Sequence, residues 1–385
     1  MAGLSFGVFL APYHPLGNSP LITYRRDLEL IEWCDRLGFD EAWVGEHHSA
    51  AWENIPDPAM FLAAAGERTH RIRLGSGVVS LPYHHPMMVA DSFVQLDHLT
   101  NGRAMLGVGP GALTSDALML GIDPVLQRPR MDEALGVIVR LLAGEVVSHT
   151  SDWFELHDSR LQMLPVNGTM PIAVASTTSP SGMVCAGTHG VGVLSLGAGL
   201  IGGKKDLGAH WDVGQKAAAA AGRELRREDW RLVLRAHVAE SRSEAIEAVR
   251  AGRDHEREHY YRRVAGMKND TTLEEEIEQG SSIIGTPDDM IAALHRLQDA
   301  TGGFGGFMVL GNEWASHEAT MRSYELIARR VMPELRGQLA PLRASYDMVA
   351  SNKRTYGGHA IAAVRQAYVD AGEEMPDGLN PGNLR

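Results

Sequence analysis

Two adjacent histidines beside a glutamate form the first group able to do proton chemistry. The run Gly45-Glu46-His47-His48 stands at the end of a short apolar segment, Glu41–Gly45, which predicts a strand. Imidazole gains and loses a proton near neutral pH, and a neighbouring carboxylate can fix its tautomer. The run predicts either a catalytic acid or base at His47, oriented by Glu46 or by a backbone carbonyl, or a structural histidine pair. A metal site would need a third ligand, and because no suitably spaced one is evident, we expect no metal.

Closely spaced glycines mark two further segments. Gly75 and Gly77 open the run 75–86, and Gly107-Val108-Gly109-Pro110-Gly111 follows later in the chain. Glycine lets the backbone approach a flat ligand or adopt a conformation that other residues avoid. The alternative interpretation is a glycine bulge in a tapered barrel. The second run is not a dinucleotide-binding fingerprint, because the later glycine spacing is missing.

A third segment is rich in hydroxyl groups. The run Ala175-Ser176-Thr177-Thr178-Ser179-Pro180-Ser181-Gly182 lies between a predicted strand and a predicted helix. Exposed backbone N–H groups at a helix start, together with hydroxyl donors, suit a phosphate. Serine and threonine are also ordinary N-cap residues, so a simple helix start is the alternative. The density of hydroxyl groups favours the phosphate, to which Arg130 could add positive charge.

The elements that must position these motifs alternate between strand and helix. Apolar runs predict eight strands, and amphipathic patterns between them predict the helices. Eight strands in such alternation favour a closed (β/α)8 TIM-like barrel over an open sheet, with the site at the carboxyl ends of the strands. The predicted strands are Leu4–Leu10, Glu41–Gly45, Ile72–Ser80, Ala104–Val108, Pro171–Ala175, Val191–Leu196, Trp230–Ala239 and Gly306–Leu310.

Some segments do not fit the alternation. The segment 253–282 is polar and helix-prone, which indicates an insertion, and 123–129 and 146–168 are long connections. We therefore predict a barrel domain over residues 1–335. Residues 336–385 are predicted to form a C-terminal helical extension that ends in an unstructured tail.

Composition excludes several classes of protein. The 385 residues include 36 Lys and Arg against 48 Asp and Glu, a net charge of −12 that would repel nucleic acid. Only two cysteines are present, Cys34 and Cys185, far apart and without a CxxC or Cys/His cluster, so we expect neither a zinc site nor a redox dithiol. No apolar run is long enough to span a membrane, and the first residues do not resemble a signal peptide. We expect a cytoplasmic protein without nucleic-acid or membrane partners.

Taken together, the motifs resemble the bacterial luciferase-like family of flavin-dependent monooxygenases. The matching phrases run in family order across about 330 residues. Within the family, Ala51-Trp-Glu-Asn-Ile-Pro56 and Leu81-Pro-Tyr-His84 are most similar to the limonene 1,2-monooxygenase group, and more distantly the chain resembles the diketocamphane monooxygenases. The family phrases are Leu37-Gly-Phe-Asp-Glu-Ala-Trp-Val-Gly-Glu-His-His48, Arg68-Thr-His-Arg-Ile-Arg-Leu-Gly75, Leu96-Asp-His-Leu-Thr-Asn-Gly-Arg103, Leu106-Gly-Val-Gly109 and Gly285-Thr-Pro287.

The resemblance implies a cofactor and the residues that hold it. It implies a TIM-like barrel, usually a homodimer, that binds reduced FMN supplied by a separate NAD(P)H:flavin reductase. His47 matches the family's catalytic histidine at the reactive edge of the flavin. Luciferase has a phosphate-binding arginine where this chain has Pro110, which leaves more of the phosphate charge to the other residues. The implied cofactor-binding residues are Gly77 and Val78 (a non-proline cis peptide under the ring), Gly109, Arg130, Thr178, Ser181 and Gly182.

The implied reaction is oxygen insertion. Reduced FMN and O2 would give a C4a-peroxyflavin, and the protein would exclude water and hold an apolar terpenoid, cyclic ketone or polyketide-like substrate beside it. Baeyer–Villiger insertion, epoxidation and hydroxylation all remain open. Residues on predicted rim loops or element starts could line the substrate pocket, with simple packing as the alternative for each: Tyr13, His14, Trp52, Met60, Tyr83 and Trp314.

Two other functions compete with the monooxygenase. One is an oxidoreductase that uses the deazaflavin F420 and transfers hydride without O2, a branch of the same superfamily. The other is a non-catalytic flavin-binding relative, against which His47 and the hydroxyl-rich loop argue. A hydrolase is not favoured, because no nucleophile elbow or Ser/His/Asp order appears.

Overall fold

A computed structural model describes residues 3–177, 179–196, 207–267 and 271–376. In the described residues, strands β1 to β12 are Ser5–Tyr13, Glu41–Val44, Arg73–Ser76, Val79–Ser80, Ala104–Gly109, Val147–Thr150, Glu155–Ser159, Ile172–Ser176, Gly192–Leu196, Trp230–Val238, Ser282–Gly285 and Gly306–Asn312. Helices α1 to α14 are Pro20–Leu37, Pro58–Gly66, Pro86–Leu99, Thr114–Met119, Gln127–Leu142, Ser181–His189, Leu207–Ala220, Arg242–Glu256, Leu273–Gln279, Pro287–Thr301, His317–Leu326, Met332–Leu335, Ala340–Ser351 and Lys353–Ala371. π-Helical segments, Arg257–Arg262 and Ile327–Val331, follow α8 and α11.

Eight parallel strand positions close into a barrel, which confirms the predicted fold. Their order is β1-β2-β3-β5-β8-β9-β10-β12, and β12 pairs with β1 to complete the ring. The short strand β4 continues the β3 position and also pairs with β5. All eight predicted strands correspond to positions in this ring, and the helices cover its outside as the alternation predicted.

Apolar side chains fill the barrel interior. Nine buried residues form one cluster, and Tyr13, Val78 and Leu196 pack against it. The interior is therefore a packed core, and a ligand must bind above it, at the carboxyl ends of the strands. The nine are Phe9, Ala11, Trp43, Met105, Ala173, Leu194, Val233, Met308 and Leu310.

A buried ion pair lies near the amino ends of the strands. The guanidinium of Arg231 on β10 donates to both oxygens of Glu41 on β2, over 2.6 and 2.9 Å. Trp43 Nε1 also donates to this carboxylate. Although burial disfavours the charge, Arg231 and Arg73 hold the pKa of Glu41 below its usual range. The two charged groups thus form hydrogen bonds to each other in place of the bonds to water that burial removes.

Helix boundaries follow local sequence signals. Proline occupies the first turn of α1, α2, α3 and α10, where its missing N–H costs nothing. Gly38 ends α1 with a φ of 84°, the left-handed cap that glycine favours. Helix α1 begins at Pro20, whose fixed φ suits the first helical turn.

Two strand pairs fall outside the predicted elements. The connection 146–168 contains the antiparallel hairpin β6–β7. Strand β11 begins at Ser282, the last residue of the segment 253–282. It pairs with the carboxyl-terminal half of β10, from Arg235 to Val238. The predicted insertion therefore returns to the sheet as a ninth partner strand outside the closed ring.

The chain divides into two compact units, with the boundary between Met332 and Pro333. The first unit, beginning at Gly3, contains the barrel. In the second, α13 and α14 have no buried residue, and residues 377–385 lie outside the described part. No described helix is both long and apolar enough to cross a membrane.

Candidate active site

The predicted motifs meet at the carboxyl end of the barrel. His47 follows β2, Gly77 and Val78 follow β3, Gly109 ends β5, and the hydroxyl-rich loop joins β8 to α6. Strands β2, β3, β5 and β8 are neighbours in this order. Parallel pairing therefore brings the corresponding loops side by side on one rim, as the barrel prediction requires.

His47 lies between two carboxylates. Its Nδ1 is 2.9 Å from Asp116 Oδ2, and its Nε2 is 3.3 Å from Glu53 Oε2. The side chain is 12% exposed. Burial opposes a positive charge here, but Glu53 and Asp116 outweigh it and raise the pKa of His47 above its ordinary value. The two carboxylates therefore favour the doubly protonated, cationic form of the ring.

Glu53 links His47 to a distant part of the chain. Its side chain is buried, and Tyr260 Oη donates to Glu53 Oε1 over 2.6 Å. Tyr260 belongs to the π-helical segment 257–262, in the predicted insertion. Burial raises the pKa of Glu53, while His47 and the Tyr260 hydrogen bond oppose this rise. A proton can thus be shared between Glu53 and His47.

Asp116, on α4, holds the other side of the ring. Besides His47, it accepts hydrogen bonds from Ser49 Oγ at 2.5 Å and from the backbone N–H of His48 at 3.2 Å. Burial opposes ionisation, but these donors keep the pKa of Asp116 below its usual range. Asp116 therefore provides a fixed negative charge that orients the imidazole.

Glu46 does not orient His47, contrary to one of the sequence-based interpretations. Its Oε1 lies 2.9 Å from His48 Nε2 and 2.8 Å from His84 Nε2, and its Oε2 accepts from the N–H of Ser80 at 2.8 Å. Despite burial, the two imidazoles lower the pKa of Glu46. His84 is the third potential ligand that sequence spacing did not reveal, and the ligand atoms of Glu46, His48 and His84 lie within 4.8 Å of one another.

The peptide bond between Gly77 and Val78 is cis, as the family resemblance implies. A Cβ on Gly77 would stand 2.6 Å from Phe9 Cε2, and one on Gly109 would stand 2.6 Å from Val78 Cγ2. Gly77 therefore lets the backbone pack against Phe9, and Gly109 leaves room for the side chain of Val78. Since Val78 also covers the barrel core, it presents a small apolar platform at the rim.

The hydroxyl-rich loop is tightly packed at the start of α6. A Cβ on Gly182 would stand 2.4 Å from the carbonyl oxygen of Ala175, so only glycine lets the helix start so close to β8. Ser179 Oγ and Ser181 Oγ are 2.8 Å apart. Ser176 Oγ is buried without a hydrogen-bond partner in the described residues. Thr178, predicted to contact phosphate, lies outside the described part.

Two arginines at the start of α5 face different surroundings. Arg128 lines a groove of about 430 Å³ together with Ser179 and Ser181. Arg130 Nη2 instead pairs with Asp152 at 3.2 Å, and its Nε is buried without a partner among the described residues. Sequence reasoning named Arg130, whereas the structure brings Arg128 to the same groove as the hydroxyl groups.

Three of the predicted substrate-pocket residues come together. Tyr13, Trp52 and Trp314 line one cavity of about 200 Å³. Trp52 packs against Tyr260, with ring centroids 5.8 Å apart, and Tyr13 meets the same ring edge-on at 5.0 Å. The aromatic wall therefore joins the Tyr260 side of the histidine site.

The other candidate pocket residues lie elsewhere. His14 is buried between Asp27, at 2.9 Å, and Glu313, at 3.0 Å, in an ion-paired cluster. Tyr83 accepts a hydrogen bond from Gln127 at 2.9 Å and meets His48 edge-on. Met60, on α2, is 73% exposed. Among these, only Tyr83 neighbours the histidine loop.

Sequence reasoning missed Glu53, Asp116, Tyr260 and Arg128. Glu53 stands inside the phrase 51–56 that carries the family likeness, which was its only signal. Asp116 and Tyr260 are 69 and 207 residues away from the groups that they contact, so local patterns could not connect them.

Comparison with known proteins gives a consistent result. The profile of the luciferase-like monooxygenase family matches residues 4–302. The chain is 48% identical over 364 residues to 4-hydroxyprotoasukamycin monooxygenase of Streptomyces nodosus subsp. asukaensis, covering 92% of this chain and 98% of the relative. It is 44% identical over 368 residues to limonene 1,2-monooxygenase of Rhodococcus erythropolis, covering 94% and 95% respectively.

A solved structure shares the fold. It is the oxygenating constituent of 3,6-diketocamphane monooxygenase from Pseudomonas putida, a type II Baeyer–Villiger monooxygenase, in complex with FMN. The TM-score is 0.75 at 26% identity, and the alignment covers 86% of this chain and 99% of the other.

Proposed function

The chain belongs to the luciferase-like monooxygenase family, and from this premise we propose that it is the oxygenase component of a two-component flavin-dependent monooxygenase. In this proposal it inserts one atom of O2 into an apolar substrate. The observation that carries the proposal is the position of His47, between two carboxylates that raise its pKa, on the same rim as the Gly77–Val78 platform and the hydroxyl-rich loop.

The rim residues fit a flavin mononucleotide. Val78 and Gly109 offer an apolar, closely packed surface for a flat ring. The unpartnered Ser176 Oγ, the Ser181 hydroxyl and the N–H groups at the start of α6 suit a phosphate. We propose that Arg128 and Arg130 add positive charge, and that Thr178, Ser181 and Gly182 contact the phosphate. When bound, reduced FMN would supply the electrons that activate O2.

His47 is the proposed proton donor at the reacting edge. Glu53 and Asp116 favour the cationic form of the ring, and because Asp116 holds Nδ1, the proton that His47 would donate is the one on Nε2, which a protonated Glu53 can restore. A cationic donor favours electrophilic oxygen transfer over the nucleophilic attack on a ketone that Baeyer–Villiger insertion requires. We therefore propose epoxidation or hydroxylation.

The proposed substrate is a small apolar molecule held by the aromatic wall. Tyr13, Trp52 and Trp314 provide apolar surface next to Tyr260 and Glu53. Such surfaces exclude water, which protects the activated oxygen from loss as peroxide. A terpenoid or a polyketide-like ring fits this requirement, and His14 pairs at 3.0 Å with Glu313, which lines the same cavity.

We also propose a separate NAD(P)H:flavin reductase, a homodimer and a cytoplasmic location. A relative that is 30% identical over 132 residues is the oxygenase component of a flavin-dependent trigonelline monooxygenase from Acinetobacter baylyi, and an oxygenase component implies a partner that reduces the flavin. Cys34 and Cys185 are both unpaired and buried, which suits a reducing compartment.

The test is oxygen-dependent turnover. The purified chain, FMN, NADH and a generic flavin reductase are incubated with a panel of terpenes, cyclic ketones and aromatic polyketides, in air and in anaerobic buffer. Product that contains one atom of 18O from 18O2 supports the proposal. Tighter binding of the deazaflavin F420 than of FMN, with turnover that persists without O2, would replace the monooxygenase by a hydride-transferring oxidoreductase. Flavin binding without any turnover would indicate the non-catalytic relative.

A further inference from the structure

A carboxylate, a thiol and an imidazole converge between α5 and α6, among residues that the proposed function does not use. Asp132 lies on α5, and Cys185 and His189 lie one turn apart on α6. Asp132 Oδ1 is 3.0 Å from His189 Nε2, and the Cys185 thiol hydrogen-bonds to the same carboxylate. The three ligand atoms lie within 4.8 Å of one another. Carboxylate, thiolate and imidazole are the ligand types that zinc accepts.

The local packing holds the imidazole beside the other two groups. Gly136 lies one turn beyond Asp132, and a Cβ there would stand 3.2 Å from His189 Cε1. The histidine ring can therefore lie close against α5. His189 is 16% exposed and Asp132 54% exposed. Ligand atoms of a tetrahedral zinc site lie roughly 3.3–3.7 Å apart, so a small rotation of the exposed carboxylate would open the 3.0 Å contact between Asp132 and His189 enough to admit the metal.

A groove gives access to the cluster. The groove of about 430 Å³ that contains Ser179 and Ser181 is also lined by Asp132 and Cys185. It provides an entry path and room for water at the fourth coordination position, which three protein ligands leave open.

We propose that Asp132, Cys185 and His189 bind one zinc-type divalent cation that links α5 to α6. Only a deprotonated thiol is a ligand, so binding transfers the Cys185 proton to solvent. A thiolate makes this cluster softer than the group Glu46, His48 and His84, which offers one carboxylate and two imidazoles. Because α6 begins at Ser181, the cation would also brace the helix that carries the hydroxyl-rich loop.

Cobalt(II) is the probe, because a thiolate ligand gives it a near-ultraviolet charge-transfer band. The full chain, freed of metal by a chelator, is titrated with Co2+ and then with Zn2+. We expect one Co2+ per chain, a thiolate band, and loss of that band when Zn2+ displaces cobalt. Cys185→Ser should abolish the band. Asp132→Asn and His189→Gln should each weaken Zn2+ binding at least about tenfold.

Matched variants separate this cluster from other sites. Cys34→Ser removes the second cysteine, on α1, and should leave the band and the Zn2+ affinity unchanged. A His48→Gln/His84→Gln double variant should also retain both. Thermal unfolding without metal checks the fold of each variant, and Asp132→Asn, at an exposed carboxylate, carries the test if Cys185→Ser does not fold.

Several outcomes would overturn the proposal. They are absence of the band in the unmodified chain, its survival in Cys185→Ser, unchanged Zn2+ affinity in both Asp132→Asn and His189→Gln, or loss of binding only in the His48/His84 variant. These readouts need neither flavin nor turnover, so their failure is distinct from failure of the monooxygenase proposal.

Discussion

Tyr260 donates a 2.6 Å hydrogen bond to Glu53 across 207 residues of sequence, and the other oxygen of Glu53 lies 3.3 Å from His47 Nε2. This contact connects a helix of the predicted insertion to the proposed proton donor. It implies that the pKa of His47 depends on Glu53 and Tyr260, which lie 207 residues apart in the sequence.

Tyr260→Phe tests this connection. Loss of the hydroxyl removes a hydrogen bond that lowers the pKa of Glu53, so that pKa should rise further. A neutral Glu53 no longer stabilises cationic His47, and the pKa of His47 should fall. We expect the alkaline limb of kcat/KM to move to lower pH, by about one unit. Tyr261→Phe, the neighbouring variant without a contact to Glu53, should leave this limb in place; equal shifts in both would contradict the connection.

His47→Ala should uncouple oxygen consumption from product formation. The flavin site involves other loops, so affinity for reduced FMN should stay within about twofold, while product falls by about 10²–10⁴-fold, the usual worth of a positioned acid. Peroxide should account for the O2 consumed. The measurement is the ratio of product to peroxide in single-turnover experiments, and unchanged coupling would remove His47 from its role.

The two arginines of α5 can be compared through the flavin phosphate. Arg128 shares a groove with Ser179 and Ser181, whereas Arg130 pairs with Asp152. We expect Arg128→Gln to weaken FMN binding by roughly 10–100-fold, the loss of one charge-assisted hydrogen bond. The effect of Arg130→Gln should be smaller. Riboflavin, which lacks the phosphate, is the control ligand: an equal loss of riboflavin affinity in Arg128→Gln would show that the arginine acts on the fold.

Gly182→Ala should disturb the start of α6. The added methyl group would stand 2.4 Å from the Ala175 carbonyl oxygen, so the helix must move. Overpacking of this kind costs about 1–3 kcal/mol in the free energy of unfolding, and FMN affinity should fall with it. Gly357→Ala is the matched control, because a Cβ there meets nothing within 4 Å. Urea unfolding and flavin fluorescence titration measure the two effects, and wild-type values for Gly182→Ala would contradict the close packing.

His14 should make the stability of the protein depend on pH. Burial alone would lower its pKa, but Asp27 and Glu313 raise it from 6.5 to about 9. We assign the proton to His14, because each of its two ring nitrogens faces a carboxylate. Its contribution of about 3 kcal/mol is fully present below pH 6.5 and is lost as the pH rises through 9.

The His14→Gln variant provides the comparison. Denaturant unfolding between pH 6 and about 10 should show a steeper loss of stability in the original chain than in His14→Gln. His157→Gln, which changes a 79% exposed histidine, should follow the original chain. Parallel curves for all three proteins would show that His14 is neutral in the folded state.

The barrel could be predicted because each strand is a short apolar run with both faces buried. The predicted Val191–Leu196 and the observed Gly192–Leu196 differ by one residue. Strand β11, Ser282–Gly285, was missed because it begins at the last residue of the polar, helix-prone segment 253–282. The β6–β7 hairpin is mostly exposed and polar, and it lacks the apolar alternation that marks a strand.

The candidate site was predictable only where a motif is contiguous. His47 lies inside a family phrase and the Gly77–Val78 bond lies in the glycine-containing run 75–86, and both are found on the rim. The partners of His47 are different: Asp116 and Glu53 are acidic residues that, read along the chain, resemble ordinary surface residues. Closure of the barrel buries them, and that burial is what changes their proton affinities.

The solid filling of the barrel has an implication for how this enzyme can be altered. Nine apolar side chains occupy the barrel interior, and Val78, Tyr13 and Leu196 pack against them. No substrate can therefore enter between the strands. Substrate selectivity therefore depends entirely on the loops above these residues. Exchanging those loops between relatives should change which substrates are accepted, while the barrel keeps its stability.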